Sequence, residues 1–192
     1  MIRALIFDCF GVIVTDAFSN AYQQFGGDPV ADNQFITDTV AAYNRGYISG
    51  EESVALFAER LGTTPQAWCQ HVEQGEVRDQ QMLAYITACR KTYKVAMLSN
   101  IGRNSLLRRF SQQELDNYFD EAVASGDIGI AKPDLRAYRI VVERLGVAPE
   151  ETVMIDDSQA NCEGAVAAGL QAVHYTDLPR LRERIQALAD TE

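Results

Sequence analysis

The sequence predicts an α/β protein of Rossmann-like, doubly wound design, in which a parallel sheet carries helices on both faces. Short apolar runs of strand length recur along the chain, and helical patterns lie between most of them. Polar residues interrupt these runs mainly at their carboxyl ends. Continuous apolar runs are typical of strands that are buried on both faces of a sheet. Alternation of such strands with helices favours parallel strand order.

Five segments are predicted as strands. In chain order they are RALIFD, YKVAMLSN, EAVAS, ETVMIDD and LQAVHY, at residues 3–8, 93–100, 121–125, 151–157 and 170–175. The third is the weakest of the five, because it is short and carries small side chains. None approaches the roughly 18 apolar residues that a membrane-spanning helix needs, so we expect no membrane partner.

Helices are predicted between and after the later strands. The segment DLRAYRIVVERLG has an apolar face and ends at Gly146, a residue type that is common just beyond helix C-termini. The segment SQANCEGAVAAG is rich in Ala and Gly, which lets a helix lie close to a sheet. A last helix is predicted over about Leu178 to Ala189.

The stretch at residues 16–85 breaks the alternation and contains no convincing buried strand. Breakers such as GGDP and NRGYISG separate its helical segments. These segments lie at about 17–25, 32–45, 51–61, 65–75 and from 79 onward. We interpret this stretch as an all-helical cap inserted after the first strand. Residues 1–15 and 86–192 then form the Rossmann-like catalytic core, and the cap covers the carboxyl edge of its sheet, where ligands bind in open α/β folds.

Composition limits the partners. The chain has 27 acidic and 17 basic residues and a net charge of −10, which argues against a nucleic-acid partner. Four cysteines are scattered without a C-x-x-C pair, so we expect neither a disulfide framework nor a zinc site. This cysteine usage favours a reduced, cytoplasmic protein. Either a monomer or a homodimer is compatible with the sequence.

Polar side chains follow four of the predicted strands. Because the carboxyl ends of parallel strands share one edge of a sheet, we expect these groups to meet in one cleft. Taken singly, each has an ordinary structural explanation as a helix cap, a turn residue or a surface lysine. Their order along the chain is what points to a site. The set consists of Asp8, Ser99, Asn100, Lys132, Asp156 and Asp157.

The chemistry that these groups support is phosphoryl transfer through a covalent aspartyl intermediate. A carboxylate that attacks phosphorus needs a cation to offset repulsion from the phosphate, and Mg²⁺ prefers oxygen ligands. Asp8 and Asp156 supply such oxygens, with Asp157 as a further ligand or as a partner through water. The hydroxyl of Ser99, backbone N–H groups near Asn100 and the ammonium of Lys132 suit the phosphoryl oxygens.

The ordered motifs D-x-x-G-V, S-N, K-P and D-D followed by N-x-x-G-A-x-x-A-G resemble those of the haloacid dehalogenase superfamily. The arrangement is most similar to the branch with a small helical cap, which includes sugar-phosphate phosphatases and the N-terminal domains of some epoxide hydrolases. The resemblance implies a nucleophile at Asp8 and a small phosphorylated metabolite as substrate. It further implies Mg²⁺ held by Asp8, the main-chain carbonyl of Phe10 and Asp156, phosphate binding by Ser99 and Lys132, and a supporting role for Asn161.

Phe10 departs from the family pattern. Most phosphatases of this family carry a second aspartate two residues after the nucleophile, which protonates the leaving alcohol and then activates water. Phenylalanine does neither, although its main-chain carbonyl is still available to a metal. General acid–base catalysis contributes roughly 10²- to 10⁴-fold to a rate, so its loss restricts the reaction.

Three hypotheses follow from Phe10. The first is a phosphatase whose substrate has a good leaving group, such as a sugar 1-phosphate or an acyl phosphate. Alternatively, the cap of such a phosphatase supplies the acid. The candidates for that acid are Asp16, Tyr43, Tyr47 and His71.

The second hypothesis is a 2-haloacid dehalogenase, whose relatives also place an aromatic residue at this position and need no acid for halide departure. In the dehalogenase pattern, neutral residues stand at the positions that Asp156 and Asp157 occupy in this chain. The third hypothesis is a non-catalytic binding or regulatory protein on the same fold. These three differ in an observable way, as metal-dependent turnover, metal-free turnover and binding without turnover.

Overall fold

A computed structural model describes residues 1–190. Its centre is a five-stranded, fully parallel sheet with the order β3-β2-β1-β4-β5. All five predicted strands are confirmed, and so is the Rossmann-like fold class. The strands are β1 (Ala4–Phe7), β2 (Lys94–Ser99), β3 (Glu121–Ala124), β4 (Thr152–Asp156) and β5 (Gln171–His174).

Ten α-helices accompany the sheet in the described chain. They are α1 (Phe18–Gln24), α2 (Asn33–Asn44), α3 (Gly50–Arg60), α4 (Pro65–Gly75), α5 (Gln80–Cys89), α6 (Gln112–Tyr118), α7 (Ser125–Ile128), α8 (Leu135–Leu145), α9 (Gln159–Ala167) and α10 (Leu178–Ala189). Within residues 1–190, none of these helices combines the length and the apolar character that a bilayer crossing needs.

The register of the central strands aligns their carboxyl ends. Phe7 of β1 lies opposite Met97 of β2 and Ile155 of β4. The next residue after Phe7 is Asp8, whose N–H donates to the carbonyl of Ile155 at 2.9 Å. Asp8 therefore neighbours Asp156, and the end of β2 lies at the same edge of the sheet.

Both faces of the sheet are covered, because successive residues of a strand point to opposite sides. Leu5 and Phe7 join the apolar core that includes buried side chains of α5, α6 and α10. Ala4 and Ile6 join a second core with buried side chains of α8 and α9. β1 is thus buried on both faces, as its continuous apolar sequence predicts.

The helices α1–α4, here called the insertion helices, form their own small core between β1 and β2. Tyr22, Phe57 and Trp68 are buried at its centre. The rings of Phe57 and Trp68 lie 5.8 Å apart, and Phe18 packs edge-on against both of them. Burial of aromatic side chains on this scale stabilises a small helical layer that is separate from the sheet.

The fifth helix of the predicted insertion packs differently from the other four. Met82, Leu83 and Ile86 of α5 are buried in the same core as β1 and β2. α5 therefore covers the sheet, although the sequence analysis divides this helix at residue 85. We propose that the cap ends before α5 begins.

Two chain segments connect the insertion helices to the sheet, and they pair with each other. The N–H of Thr15 donates to the carbonyl of Val77 at 2.9 Å, and the N–H of Asp79 donates to the carbonyl of Ile13 at 2.8 Å. The hydroxyl of Thr15 also donates to the carbonyl of Gly75 at 2.6 Å. This paired ribbon is the natural boundary of the cap that we propose.

Helix α9 approaches the loop that carries Lys132 very closely. A methyl group on Gly164 would lie 2.7 Å from both the Cβ atom and the carbonyl oxygen of Pro133, and 3.0 Å from the hydroxyl of Tyr138. Only a glycine permits this contact, which holds the Lys132 loop against the end of β4. The Ala- and Gly-rich composition of this segment predicts such close packing.

We expect Gly164→Ala to lower the free energy of unfolding by about 1 to 3 kcal/mol, as overpacked substitutions do. Helix propensity alone favours alanine over glycine by about 1 kcal/mol. The predicted loss of stability is therefore opposite to the change that propensity alone would give. Urea denaturation measures the change. The control is Val166→Ala on the exposed face of the same helix, which should change stability by less than about 0.5 kcal/mol. A stabilised Gly164→Ala protein would contradict the close contact.

Candidate active site

Three charged side chains meet at the carboxyl edge of the sheet. The ammonium of Lys132 lies 2.9 Å from Oδ1 of Asp8 and 2.6 Å from Oδ2 of Asp156. All three residues are buried. Buried charges are tolerated when they are paired and hydrogen-bonded. The structure therefore brings together three residues that lie far apart in the sequence, as the strand order predicts.

The two carboxyl oxygens of Asp8 differ in their contacts, because only Oδ1 bonds to the protein groups described here. Its Oδ1 accepts a hydrogen bond from the N–H of Cys9 at 2.6 Å and pairs with Lys132. Neither interaction uses Oδ2. Burial raises the pKa of Asp8 to about 7, with Lys132 opposing this rise and Asp156 adding to it.

Asp156 is held by donors from three parts of the chain. Its Oδ1 accepts from the N–H of Ser158 at 2.9 Å and from the side-chain amide of Asn161 at 3.0 Å, while its Oδ2 accepts from Lys132. Burial acts to lower the pKa of Lys132, but the charges of Asp8 and Asp156 outweigh it and raise that pKa. Lys132 is consequently an ammonium at neutral pH, and Asn161 supports the acidic loop.

Asn100 uses its whole side-chain amide on the backbone of Lys132. Its Nδ2 donates to the carbonyl of Lys132 at 2.8 Å, and its Oδ1 accepts from the N–H of Lys132 at 2.8 Å. These two hydrogen bonds fix the loop that carries the lysine. The side chain of Asn100 is therefore a positioning group, which leaves only its backbone for the predicted substrate contact.

Ser99 is buried at the end of β2 with its hydroxyl unused. Within residues 1–190, its Oγ has no hydrogen-bond partner. Buried polar atoms nearly always have a partner in native proteins. An unpaired hydroxyl next to Asn100 is the feature expected where a ligand supplies the partner.

Asp157 lies directly against Gly11. A methyl group on Gly11 would lie 2.0 Å from Oδ2 of Asp157, and the φ angle of Gly11 is +77°, in the region that favours glycine. Glycine at this position therefore allows the acidic loop after β4 to approach the loop after β1.

Together these loops create an acidic cluster that can bind a metal ion. Asp8, Asp156 and Asp157 each offer a carboxylate oxygen, and these oxygens lie within 4.8 Å of one another. Three carboxyl groups face the single ammonium of Lys132. Such an excess of oxygen ligands fits a hard divalent cation. The predicted metal ligands are thus close together.

A cavity of about 610 Å³ extends from this edge to the insertion helices. Phe10, Asn100 and Lys132 form its wall on the side of the sheet. Two predicted candidates for a replacement acid, Asp16 and Tyr43, also line it.

The other two candidates lie elsewhere. The side chain of Tyr47 is 75% exposed, and His71 packs edge-on against the ring of Phe25 at 5.3 Å. Neither belongs to the described wall of the cavity. The structure therefore separates the four candidates into a pair that can face a substrate and a pair that cannot.

One ion pair of this cavity is not predicted by the sequence. The guanidinium of Arg109 lies 5.1 Å above the ring of Phe10 and donates to Oε1 of Glu76 at 2.6 Å. Its Nε is buried and has no partner within residues 1–190. Neither residue lies at a strand end or in a motif, and they are 33 positions apart. No sequence signal could have identified this pair.

Comparison with known proteins agrees with the fold and the motifs. A family model for haloacid dehalogenase-like hydrolases matches residues 2–169. The chain is 28% identical over 179 residues to a D-ribitol-5-phosphate phosphatase of Bacteroides thetaiotaomicron, covering 84% of this chain and 85% of that protein. It is 33% identical over 84 residues to a phosphorylated carbohydrates phosphatase of Thermotoga maritima. The latter match covers 44% of this chain and only 39% of the relative's length.

Among solved structures, the fold is similar to that of a HAD family enzyme from Bacteroides thetaiotaomicron, crystallised with magnesium and inorganic phosphate. The TM-score is 0.74 at 22% identity, and the match covers 94% of this chain and 99% of that one. This likeness concerns the fold. Because the family model matches residues 2–169, which include four of the five strands, the insertion helices and every charged residue described above, the chain belongs to the haloacid dehalogenase-like hydrolases.

Proposed function

We propose that this protein is a magnesium-dependent phosphatase that acts through an aspartyl-phosphate on Asp8. The observation that carries this proposal is the buried contact of Lys132 with Asp8 and Asp156 beside a cavity. Both contacts of Asp8 fall on Oδ1, so Oδ2 is the oxygen available to attack a phosphate. The relatives described as phosphatases support the same reaction class.

In the first step, Oδ2 of Asp8 forms a bond to phosphorus. The bond from phosphorus to the leaving oxygen breaks, and the leaving group takes its electron pair. In the second step, water attacks phosphorus and the bond from phosphorus to Asp8 breaks. The electron pair returns to the carboxylate, and the released proton passes to solvent or to the departed oxyanion. The products are inorganic phosphate and the free leaving group, which is an alcohol, a phenol or, from an acyl phosphate, a carboxylate.

The side chains of Asp8, Asp156 and Asp157 and the main-chain carbonyl of Phe10 would hold Mg²⁺. When bound, this ion offsets the repulsion between the attacking carboxylate and the anionic substrate. The acidic cluster of carboxylate oxygens within 4.8 Å supports this assignment. Further support comes from the similarly folded Bacteroides thetaiotaomicron enzyme that was crystallised with magnesium and phosphate.

Lys132 and Ser99 would hold the phosphoryl group. The ammonium of Lys132 stays close to Asp8 because Asn100 fixes its backbone. The unused hydroxyl of Ser99 would donate to a phosphoryl oxygen. Preorganised donors of this kind stabilise charge as it redistributes in the transition state.

Phe10 limits the leaving group, because its side chain has no proton to give. The reaction therefore suits a small phosphorylated metabolite whose leaving group departs readily as an anion. Sugar 1-phosphates, acyl phosphates and aryl phosphates all meet this leaving-group condition, in contrast to an ordinary alkyl phosphate.

The first experiment measures phosphate release from p-nitrophenyl phosphate, because that leaving group needs no proton. We expect turnover in magnesium, loss of turnover in chelator, and a decrease of at least about 10³-fold in Asp8→Asn, since the nucleophile is removed. Circular dichroism checks that the variant is folded. Turnover of a 2-haloacid without metal would instead identify a dehalogenase. Binding without any turnover would identify a non-catalytic protein.

The second experiment tests the missing acid. We expect Phe10→Asp to raise kcat/KM for unactivated alkyl phosphates at least about tenfold, because general acid catalysis is worth roughly 10²- to 10⁴-fold. The rise should be much smaller for p-nitrophenyl phosphate. Phe10→Asn serves as the matched control without a carboxyl group. Equal or lower rates in a folded Phe10→Asp protein would refute the argument from the missing acid.

The third experiment separates binding from folding at Ser99. We expect Ser99→Ala to leave the free energy of unfolding within about 0.5 kcal/mol of the parent, because its hydroxyl has no partner to lose. It should raise the KM or lower the kcat for p-nitrophenyl phosphate. The control is Ser125→Ala. That buried hydroxyl bonds to the carbonyls of Asn44 and Ile101, so its removal should cost about 1 to 3 kcal/mol.

A large loss of stability in Ser99→Ala with unchanged kinetics would assign Ser99 to the core rather than to the substrate. Urea denaturation and steady-state kinetics on the same preparations provide both readouts.

A further inference from the structure

We propose that the substrate is an aryl phosphate, the phosphate monoester of an apolar phenol. Its ring lies against Phe10, and its apolar substituent lies among the insertion helices. This inference rests on the proposed phosphatase function and names the substrate class of the same site. It depends on the hydrophobic wall of the cavity, on the hydrogen bonds of the acidic groups along that wall and on the position of Arg109.

The far wall of the cavity is mainly apolar. The helices α2, α3 and α4 each contribute large hydrophobic side chains to it, among them Ile36, Val40, Val54, Phe57, Trp68 and Val72. The cavity continues from these residues to Phe10 and Lys132. A phosphate held near Lys132 therefore points the rest of its molecule at a hydrocarbon surface, where sugar hydroxyls would lose hydrogen bonds to water.

The three acidic residues on the wall already accept hydrogen bonds. Glu76 accepts from Arg109 at 2.6 Å, Glu73 accepts from the thiol of Cys69 at 3.3 Å, and Asp16 accepts from the N–H of Phe18 at 3.0 Å. Each of these carboxyl groups therefore already has an oxygen engaged as a hydrogen-bond acceptor within the protein.

The hydroxyl of Tyr43 also has a partner, the Oγ of Ser105 at 2.8 Å. The exposed arginines Arg45 and Arg108 add positive charge to the wall. Because the side chain of Phe10 has no proton to donate, the leaving oxygen departs as an anion in the proposed reaction. A phenol spreads that charge into its ring, which an aliphatic alcohol does not.

Arg109 suits a departing phenolate. Its guanidinium lies 5.1 Å above the ring of Phe10, and its buried Nε has no partner within residues 1–190. The guanidinium already pairs with Glu76 through another nitrogen, so the Nε–H is the donor left beside Phe10, the residue that stands where a proton donor would be. A hydrogen bond from this N–H to the leaving oxygen would stabilise its negative charge and lower the barrier to cleavage without a proton transfer.

The size of the cavity agrees with this class of substrate. About 610 Å³ is within the range of small-molecule sites, and it exceeds the space that one benzene ring fills. The ring would therefore carry an additional apolar substituent, whose burial contributes to binding.

The test is a series of 4-alkylphenyl phosphates from phenyl to 4-butylphenyl, in which the acidity of the phenol hardly changes. We expect kcat/KM to rise up to about fourfold for each added methylene, which corresponds to full burial of that group. Phenyl phosphate should also exceed glucose 1-phosphate. A flat or falling series, or faster turnover of the sugar phosphate, would overturn the inference.

Wall variants identify where the substituent lies. Val40→Thr and Val54→Thr keep the shape of the side chain but add a hydroxyl, so each should reduce the 4-butylphenyl to phenyl ratio of kcat/KM severalfold. Val30→Thr is the matched control, because Val30 is 86% exposed and lies outside the described wall. If this ratio is unchanged in both wall variants, the insertion helices do not contact the substituent of the substrate.

A binding measurement separates this inference from the proposed function. Calorimetry with the same alkyl series of arylphosphonates, which cannot be hydrolysed, gives Kd values without turnover. If no phosphate is released from any ester, the phosphatase proposal fails, and the phosphonate series still decides the present one. Tighter binding with each methylene supports it, and a constant Kd contradicts it.

Discussion

The contact of one buried lysine with two buried aspartates is the constraint on which the rest of the structure depends. Three charges removed from water are stable only when they are paired with good geometry. β1, β4 and the loop that carries Lys132 must therefore close to within hydrogen-bond distance of one another. The amide of Asn100 and the close approach of Gly164 secure that loop. The packing that holds these segments together is thus also what positions the charged groups of the site.

A second consequence follows at the interface between the sheet and the insertion helices. Arg109, which follows β2, bonds to Glu76 at the end of the insertion, and the same guanidinium covers the ring of Phe10. Phe10 thereby acts in two ways. In the proposed reaction its side chain has no proton to donate, and its ring offers an apolar surface to the proposed substrate. The cavity extends from Phe10 at the carboxyl edge of the sheet to the hydrophobic side chains of the insertion helices.

Most of the fold could be predicted because local pattern and global environment agree. The continuous apolar sequence of β1 matches its burial on both faces of the sheet. The boundary of the insertion was harder to predict. The apolar face of α5 shows that something covers the helix, but it does not show whether other helices or the sheet do so. In the structure Met82 and Ile86 pack with the strands.

The sequence by itself determined the parallel sheet, the insertion of helices after the first strand and the meeting of Asp8, Lys132 and Asp156. Strand ends converge because parallel strands share a direction, so position along the chain was sufficient. Only the tertiary structure decided that Asn100 holds the lysine backbone, that the hydroxyl of Ser99 is unpaired and that Arg109 lies over Phe10. Those facts depend on side-chain directions and on contacts between distant loops, which no periodicity or spacing encodes.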